Sequence, residues 1–407
     1  MNEYYVSKEG NDNNRGTSWL EAWASVGVVP GRALPDSNIH VREGLYLEQL
    51  RYGSRQGGTP DGWHNWEADG DVLIHSVGRS ALVLSGQGQS GFVRLTGMNF
   101  AAPSDKTYAA FLAQSDVELF DCILGPAGDD CAKGPGNTIA VDADGKTIDW
   151  NVMRLLLKRC TFFEWGSNGS AIDFTGCDDS EVTDFDCDGR GKSVIGAIMT
   201  KRDSRRNRFG PGRIYNFQGS HAIAIGGEST TTGFAPHHEA TDCIFRDVKI
   251  NNVQVSKYGA VLLFQSAKDC RFIGGEISRC HGDGHLVLPK SLDGQKPTAG
   301  CTVEGTAFRY SDTALGACWE PNVLEYIEPV VPAPPVEPVT PDEPTLTVTL
   351  EGRMGVAEEG LDIHAEHIAA LKRQVDALDQ SLADLNKPHG HDTPGTTSGP
   401  NKPVGGE

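Results

Sequence analysis

Along the first 325 residues, apolar residues recur at every second position in short runs, and each run stops at Gly, Asn or Asp. The runs "IHVREGLYLEQL" (39–50), "DVLIHSV" (71–77), "FVRLTGMNF" (92–100) and "DVELFDCIL" (116–124) carry this alternation, the mark of strands with one buried face. No helix-length periodic segment lies between them, which excludes an alternating βα architecture.

Later runs align with one another. Setting "SAIDFTGCDDSEVTDF" against "GAVLLFQSAKDCRFIG" brings Ile172 onto Leu262, Phe174 onto Phe264 and Val182 onto Phe272. One inward column then reads Ile172, Ile198, Ile223, Leu262, Leu286, and a second reads Phe162, Val182, Phe209, Phe245, Phe272. Both share one long interval, at "GGESTTTGFAPHHEA" (226–240), which reads as an inserted loop. Units of about 25 residues whose like positions stack on themselves form parallel sheets, and the coil so made is a β-helix.

The chain opens "EYYVSKEGNDNNRGTSWLEAWAS". Residues 4–7 read as a strand and 11–16 as a tight turn, after which Thr17 and Ser18 are placed to cap a short helix carrying Trp19 and Trp23. Together with the later "VREGLY", this segment resembles the start of right-handed parallel β-helix proteins of the pectate-lyase-like superfamily, a group that includes polysaccharide lyases, glycoside hydrolases and phage tailspikes. The resemblance spans residues 4–325 and implies an all-β fold, a right-handed parallel β-helix in which the opening segment caps one end. Without such a cap, strand edges would stay unpaired.

Composition changes after Tyr326. "EPVVPAPPVEPVTPDEP" (328–344) holds seven prolines and four acidic residues, a semi-rigid spacer reaching about 50 Å at roughly 3.1 Å per residue. Residues 345–352 read as one strand. Leu361, His364, Ile368, Leu371, Val375, Leu378, Leu382 and Leu385 then follow 3–4 spacing, the seam of a coiled coil or the apolar stripe of one helix docked on the β-helix. The expected divisions are a capped β-helix over 1–325, a linker over 326–344, a strand and coiled coil over 345–387, and a tail over 388–407. Strand number is not set by the seam. The likeness to phage appendages implies a homotrimer, with a dimer as the other option. In a trimer, His389 and His391 of the tail would bring six imidazole nitrogens to the axis, a donor set for an iron-like metal.

The net charge of −19 disfavours nucleic-acid backbone binding, which needs clustered Lys and Arg. The basic run Lys201, Arg202, Arg205, Arg206, Arg208 reads as a solvated ridge. No stretch approaches the roughly 18 apolar residues of a membrane span, and no secretory signal is readable at the start. Ten cysteines without CxxC spacing read as buried free thiols rather than a zinc site, and the recurring "DC" phrases suggest a stack of them.

Enzymes of this superfamily carry their chemistry on the outward face of one sheet. Here the outward column beside the first core column is Asp173, Met199, Ala224, Leu263 and Val287, a nearly inert surface. "DFDCDG" is the stronger candidate. With Phe185 and Cys187 inward, Asp184, Asp186 and Asp188 point out, next-nearest neighbours lying roughly 6.5–7 Å apart. That separation suits the acid and base of an inverting glycosidase, and the same residues also suit a solvated acidic turn or a calcium site. His221 is expected on a neighbouring rung. Asp178 and Asp179, and "SHAIAIGG" with His221, resemble the polygalacturonase branch. The chain departs from that pattern in having Ser220 and Ala222 where the pattern has glycines, and Asp178 and Asp179 fall at a turn. "HGDGH" (281–285) reads first as a turn. Lys201 or Lys257 would serve a lyase as base only beside a carboxylate or calcium.

These features lead to a virion surface appendage, a tailspike or fibre that engages bacterial surface polysaccharide. It would be made in the host cytoplasm without a signal and attach to other virion proteins through its C-terminal side. A stand-alone polysaccharide lyase or glycoside hydrolase, and a purely structural fibre, are the alternatives.

Overall fold

The chain is a parallel β-helix, seen in a computed structural model that describes residues 1–135, 140–141, 147–148, 151–227, 238–290, 296–309, 316–317 and 324–327. In the unit Met1–Val331, strands pair in parallel with those one coil before and one coil after. One ladder runs Tyr4, Ile39, Trp66, Leu95, Leu119, Leu157, Val182, Phe209, Phe245, Phe272, Val303. All of these are buried, so like residues pack on like along the axis. The rings of Phe209 and Phe245 stack 4.5 Å apart at 8°, in the area-rich contact that aromatic pairs favour.

The first expected column holds in register through Ile172, Ile198, Ile223 and Leu262, but its next member is Val287. "HLVLP" is apolar at three successive positions, so alternation cannot fix its register. Leu288, not Val287, therefore continues the outward column. Phe162 belongs to another column, with Leu124, Cys187, Ile214, Ile250, Ile277 and Phe308. Leu157 fills the place expected for Phe162. The two columns lie on adjoining faces joined by one tight corner, and both carry phenylalanines.

The expected short helix carrying Trp19 and Trp23 does not form. Trp23 donates its backbone N–H to the Tyr5 carbonyl at 3.0 Å, and its own carbonyl accepts from Ser7 at 2.9 Å. The segment is thus held to the first strand, Asn2–Val6, by sheet-like bonds rather than by its own turns. Trp23 is buried, stacked on Tyr4 at 5.1 Å. Among the described residues the helical element is the 3-10 turn Val26–Gly31, whose Val26 and Val29 join the core.

Corners between faces use left-handed backbone, which costs ordinary residues about 1–2 kcal/mol. Asp116, Asp121 and Asp179 have φ of 57°, 53° and 49°. One coil further on, Arg154, Arg159 and Arg206 have φ of 59°, 53° and 57°. Each arginine grips the aspartate below it through two bonds of 2.6–2.8 Å. These forked pairs tie coil to coil where the backbone is least favourable. Among the described residues nine cysteines are free and buried, as expected, and Cys243, Cys270 and Cys301 stand two residues before the paired Phe245, Phe272 and Val303 on successive coils.

Most of the inserted loop lies outside the described residues. So do the linker from residue 328 on, the heptads Leu361 to Leu385, and His389 and His391; Tyr326 and Ile327, expected in the linker, instead pair with Val303 and Glu304 as part of the β-helix.

Candidate functional site

Phe185 and Cys187 do point inward, and Asp186 and Asp188 outward, on the strand Phe185–Ser193. Asp184 precedes that strand, at a left-handed corner with φ 54°, in the place that Arg159 and Asp121 hold on earlier coils. It therefore does not stand in line with the other two. Asp186 is ion-paired with Arg213, its register partner one coil on. Asp188 accepts from Asn216 Nδ2 at 3.3 Å and from the Arg190 backbone N–H at 2.9 Å.

His221 is brought to a different neighbourhood. It is 4% exposed, packs against Gly196, and has Nδ1 2.9 Å from the Ser220 hydroxyl. Gly196 is required there, since a Cβ would fall 2.3 Å from the imidazole. Burial pulls the His221 imidazole down to about 3, with Lys201 lowering it further and Asp173 opposing. Neutral at physiological pH, it cannot act as a proton donor from the imidazolium form.

Lys201 and Asp173 are part of a cluster on the face built from Ala132–Lys133, Ile172–Thr175 and Ile198–Lys201. Asp173 Oδ2 is ion-paired with Lys133 and lies 3.1 Å from Lys201 Nζ, while its Oδ1 accepts from the Thr175 hydroxyl at 2.7 Å. Lys133 also reaches Asp130 Oδ2 at 3.2 Å, and Asp130 Oδ1 accepts from the Ser170 backbone N–H at 2.6 Å. The outward column is thus not inert at its Asp173 end. Lys201 does sit beside a carboxylate, and it leaves the expected solvated ridge.

The cluster separates two carboxyl groups by environment. Burial pushes Asp130 up, the charge of Asp173 pushes further and Lys133 pulls back, leaving it raised to about 7. Burial also opposes ionisation of Asp173, but Lys133 and Lys201, with the hydrogen bonds from Lys133 and Thr175, hold it below the usual carboxylate range. Burial works against the Lys133 ammonium, and Asp173 and Asp130 outweigh it, so Lys133 stays charged. One carboxyl poised near neutrality beside one kept ionised is the pairing from which acid–base chemistry is built.

On the other side of the strand carrying Asp188 is an open groove of about 350 Å³ lined by Asp188, Arg190, Gly191, Asn216, Phe217, Gln218, Asn252, Gln254 and His281. His281, from "HGDGH", lines the same groove three coils beyond Asp188. Sequence reading missed Asp130, Lys133, Asn216 and Asn252. "GDDCAKG" held the first two, and the asparagines read as turn residues.

The remaining candidates have local partners. Asp178 accepts from Asn151 at 3.1 Å and from the Arg205 backbone at 2.8 Å, and burial pushes it up to about 6. Asp179, at a left-handed corner as expected, is held by Arg206, whereas Asp178 ends the short strand Cys177–Asp178. Lys257 lies over the exposed Tyr258 ring at 5.7 Å. Among the described residues no group of three or more His, Cys, Asp or Glu is arranged to hold a metal ion, and no helix is long and apolar enough to cross a membrane.

No family model matches the chain, and no curated protein matches it. Among solved structures the chain is similar to a lacto-N-biosidase from Eubacterium ramulus, with a TM-score of 0.49 and 9% identity over 80% of this chain and 67% of that one. It is also similar to an alginate lyase from Paenibacillus, with a TM-score of 0.43 and 11% identity over 80% and 98%. A pectin methylesterase from carrot gives 0.42 and 11% over 80% and 88%. The parallel β-helix itself is read from the chain's own strand pairing.

Proposed function

We propose that the chain is a virion surface appendage whose β-helix binds host cell-surface glycans. The observation that carries this reading is the open groove of polar side chains along Asp188, Asn216, Gln218, Asn252, Gln254 and His281. Amide, carboxylate and imidazole groups in one shallow groove match a ligand made of closely spaced hydroxyls, each of which donates and accepts. The heptads Leu361 to Leu385 and the proline-rich spacer support a homotrimer tethered to other virion proteins through its C-terminal side. Mass spectrometry of purified phage particles from a strain encoding the chain tests the location. The polypeptide is expected among the particle proteins, and its absence from them would leave a free polysaccharide-degrading enzyme as the reading.

Cleavage of the bound glycan is a second reading, favoured by Asp130 and Asp173 sharing Lys133. Two carboxyl groups on one ammonium lie within about 6 Å of each other, near the separation at which one carboxylate acts as nucleophile and the other as acid. Hydrolysis at this pair takes the place of the Asp184, Asp186 and Asp188 site, since Asp186 is occupied by Arg213 and Asp184 stands at a corner.

A further inference from the structure

Resting on the glycan reading, we infer that the ligand of the open groove is an uncharged sugar chain lying along the helix axis, gripped by two ladders of amide side chains. One ladder is set by strand register: Ser193 pairs with Gln218, Gln218 with Gln254, and Gln254 with His281. Ser193, Gln218 and Gln254 are exposed and His281 is half-buried. The second ladder stands at the adjoining corner, where Asn216 and Asn252 have φ of 60° and 52°. Asn252 Nδ2 donates to Asn216 Oδ1 at 2.8 Å, and Asn216 Nδ2 donates to Asp188 at 3.3 Å.

A left-handed corner explains asparagine at 216 and 252, because Asn tolerates that backbone. It does not explain Gln218 and Gln254, which sit on extended strand with ordinary φ and are exposed. Successive coils place equivalent side chains about 4.8 Å apart, close to the length of one pyranose unit. Over the two coils that carry Asn216 with Gln218 and Asn252 with Gln254, a chain of sugars laid along the axis thus meets one Asn and one Gln per residue.

The charges select against acidic sugars. Arg190 is the guanidinium lining the groove, and it is committed to Glu164 at 3.2 Å and to the Phe163 ring at 4.2 Å. Lys192 is 3.8 Å from the same Glu164. Asp188 lines the groove as well, so a uronate or sulfate there would meet a carboxylate and no uncommitted guanidinium.

The test uses the full-length chain on an array of purified capsular and O-antigen polysaccharides, sorted into neutral and acidic repeat units and read at 0.05 and 0.5 M NaCl. Binding is expected only to neutral repeats, with affinity changing little between the two salts. The Asn252→Gly, Gln254→Ala double variant, which keeps the corner backbone accessible, is expected to weaken binding about tenfold or more, as loss of two or more hydrogen bonds implies. Gln218→Ala, a separate single change on the strand, is expected to weaken it as well. Binding to acidic repeats, a steep loss with salt, or wild-type affinity in both variants would overturn the inference while leaving glycan binding intact. No binding to any polysaccharide would overturn the glycan reading, and this inference with it.

Discussion

Replacing Asp173 by Ala is expected to destabilise the β-helix by about 3–5 kcal/mol, because it leaves two buried ammonium groups without their shared partner. The Asp173 side chain is 4% exposed, and those of Lys133 and Lys201 are 19% and 17% exposed. Asp130 can compensate only Lys133, and only when ionised. Coil-by-coil solenoids need not unfold in one step, so the measurement is the apparent urea midpoint followed by circular dichroism. Asp186→Ala is the control. Its ion pair with Arg213 is 20% and 45% exposed, and its loss is expected to cost no more than about 1 kcal/mol. Equal midpoints for the two variants would contradict the assignment of the cluster.

Asp130→Asn is expected to change how stability depends on pH. Asp130 is raised to about 7 in the folded chain from an ordinary value of 3.8. Below about pH 4 it carries its proton folded or unfolded. Between about 4 and 7 the unfolded chain releases that proton and the folded chain keeps it, so stability falls as pH rises through this window and levels off above it. Asp173 acts in the opposite sense: it contributes stability above its ordinary value that is lost as pH falls below it. Asparagine at 130 removes the first dependence and can still accept from Ser170. The variant should therefore gain on wild type progressively from pH 4 to 7, by on the order of 4 kcal/mol in all. A difference between the two that stays flat across the window would contradict it.

The fold was legible because a solenoid repeats its core. Ile172, Ile198, Ile223 and Leu262, or Phe209, Phe245 and Phe272, recur at the spacing of one coil, and each recurrence supports the others. Errors fell where that redundancy failed. "HLVLP" offered three apolar residues for one inward position, and Phe162 imitated a neighbour across a corner. The opening segment has helix-capping residues and two tryptophans, yet its backbone bonds go to the first strand, a tertiary pairing that local propensity does not report.

The site was less legible for a different reason. Lys133, Asp173 and Lys201 are adjacent only because they stand on three successive coils; the column of Lys133 and Asp173 continues through Met199 and Ala224, and Lys201 reaches Asp173 from the column of Thr175. Spacing within "DFDCDG" was visible, but not that Arg213 arrives beside Asp186 or that a corner begins at Asp184. Asn216 and Asn252 looked like ordinary turn residues. Only the register of the strands that follow them brings Gln218 and Gln254 alongside and makes a groove.

Binding of the fluorescently labelled full-length chain to living host cells tests the central claim most directly, with isogenic strains lacking capsule or O-antigen measured beside the parent. The chain is expected to label the parent and to lose that labelling when one of the two surface glycans is missing. Equal labelling of every strain, or no labelling of the parent, would contradict a glycan-binding appendage.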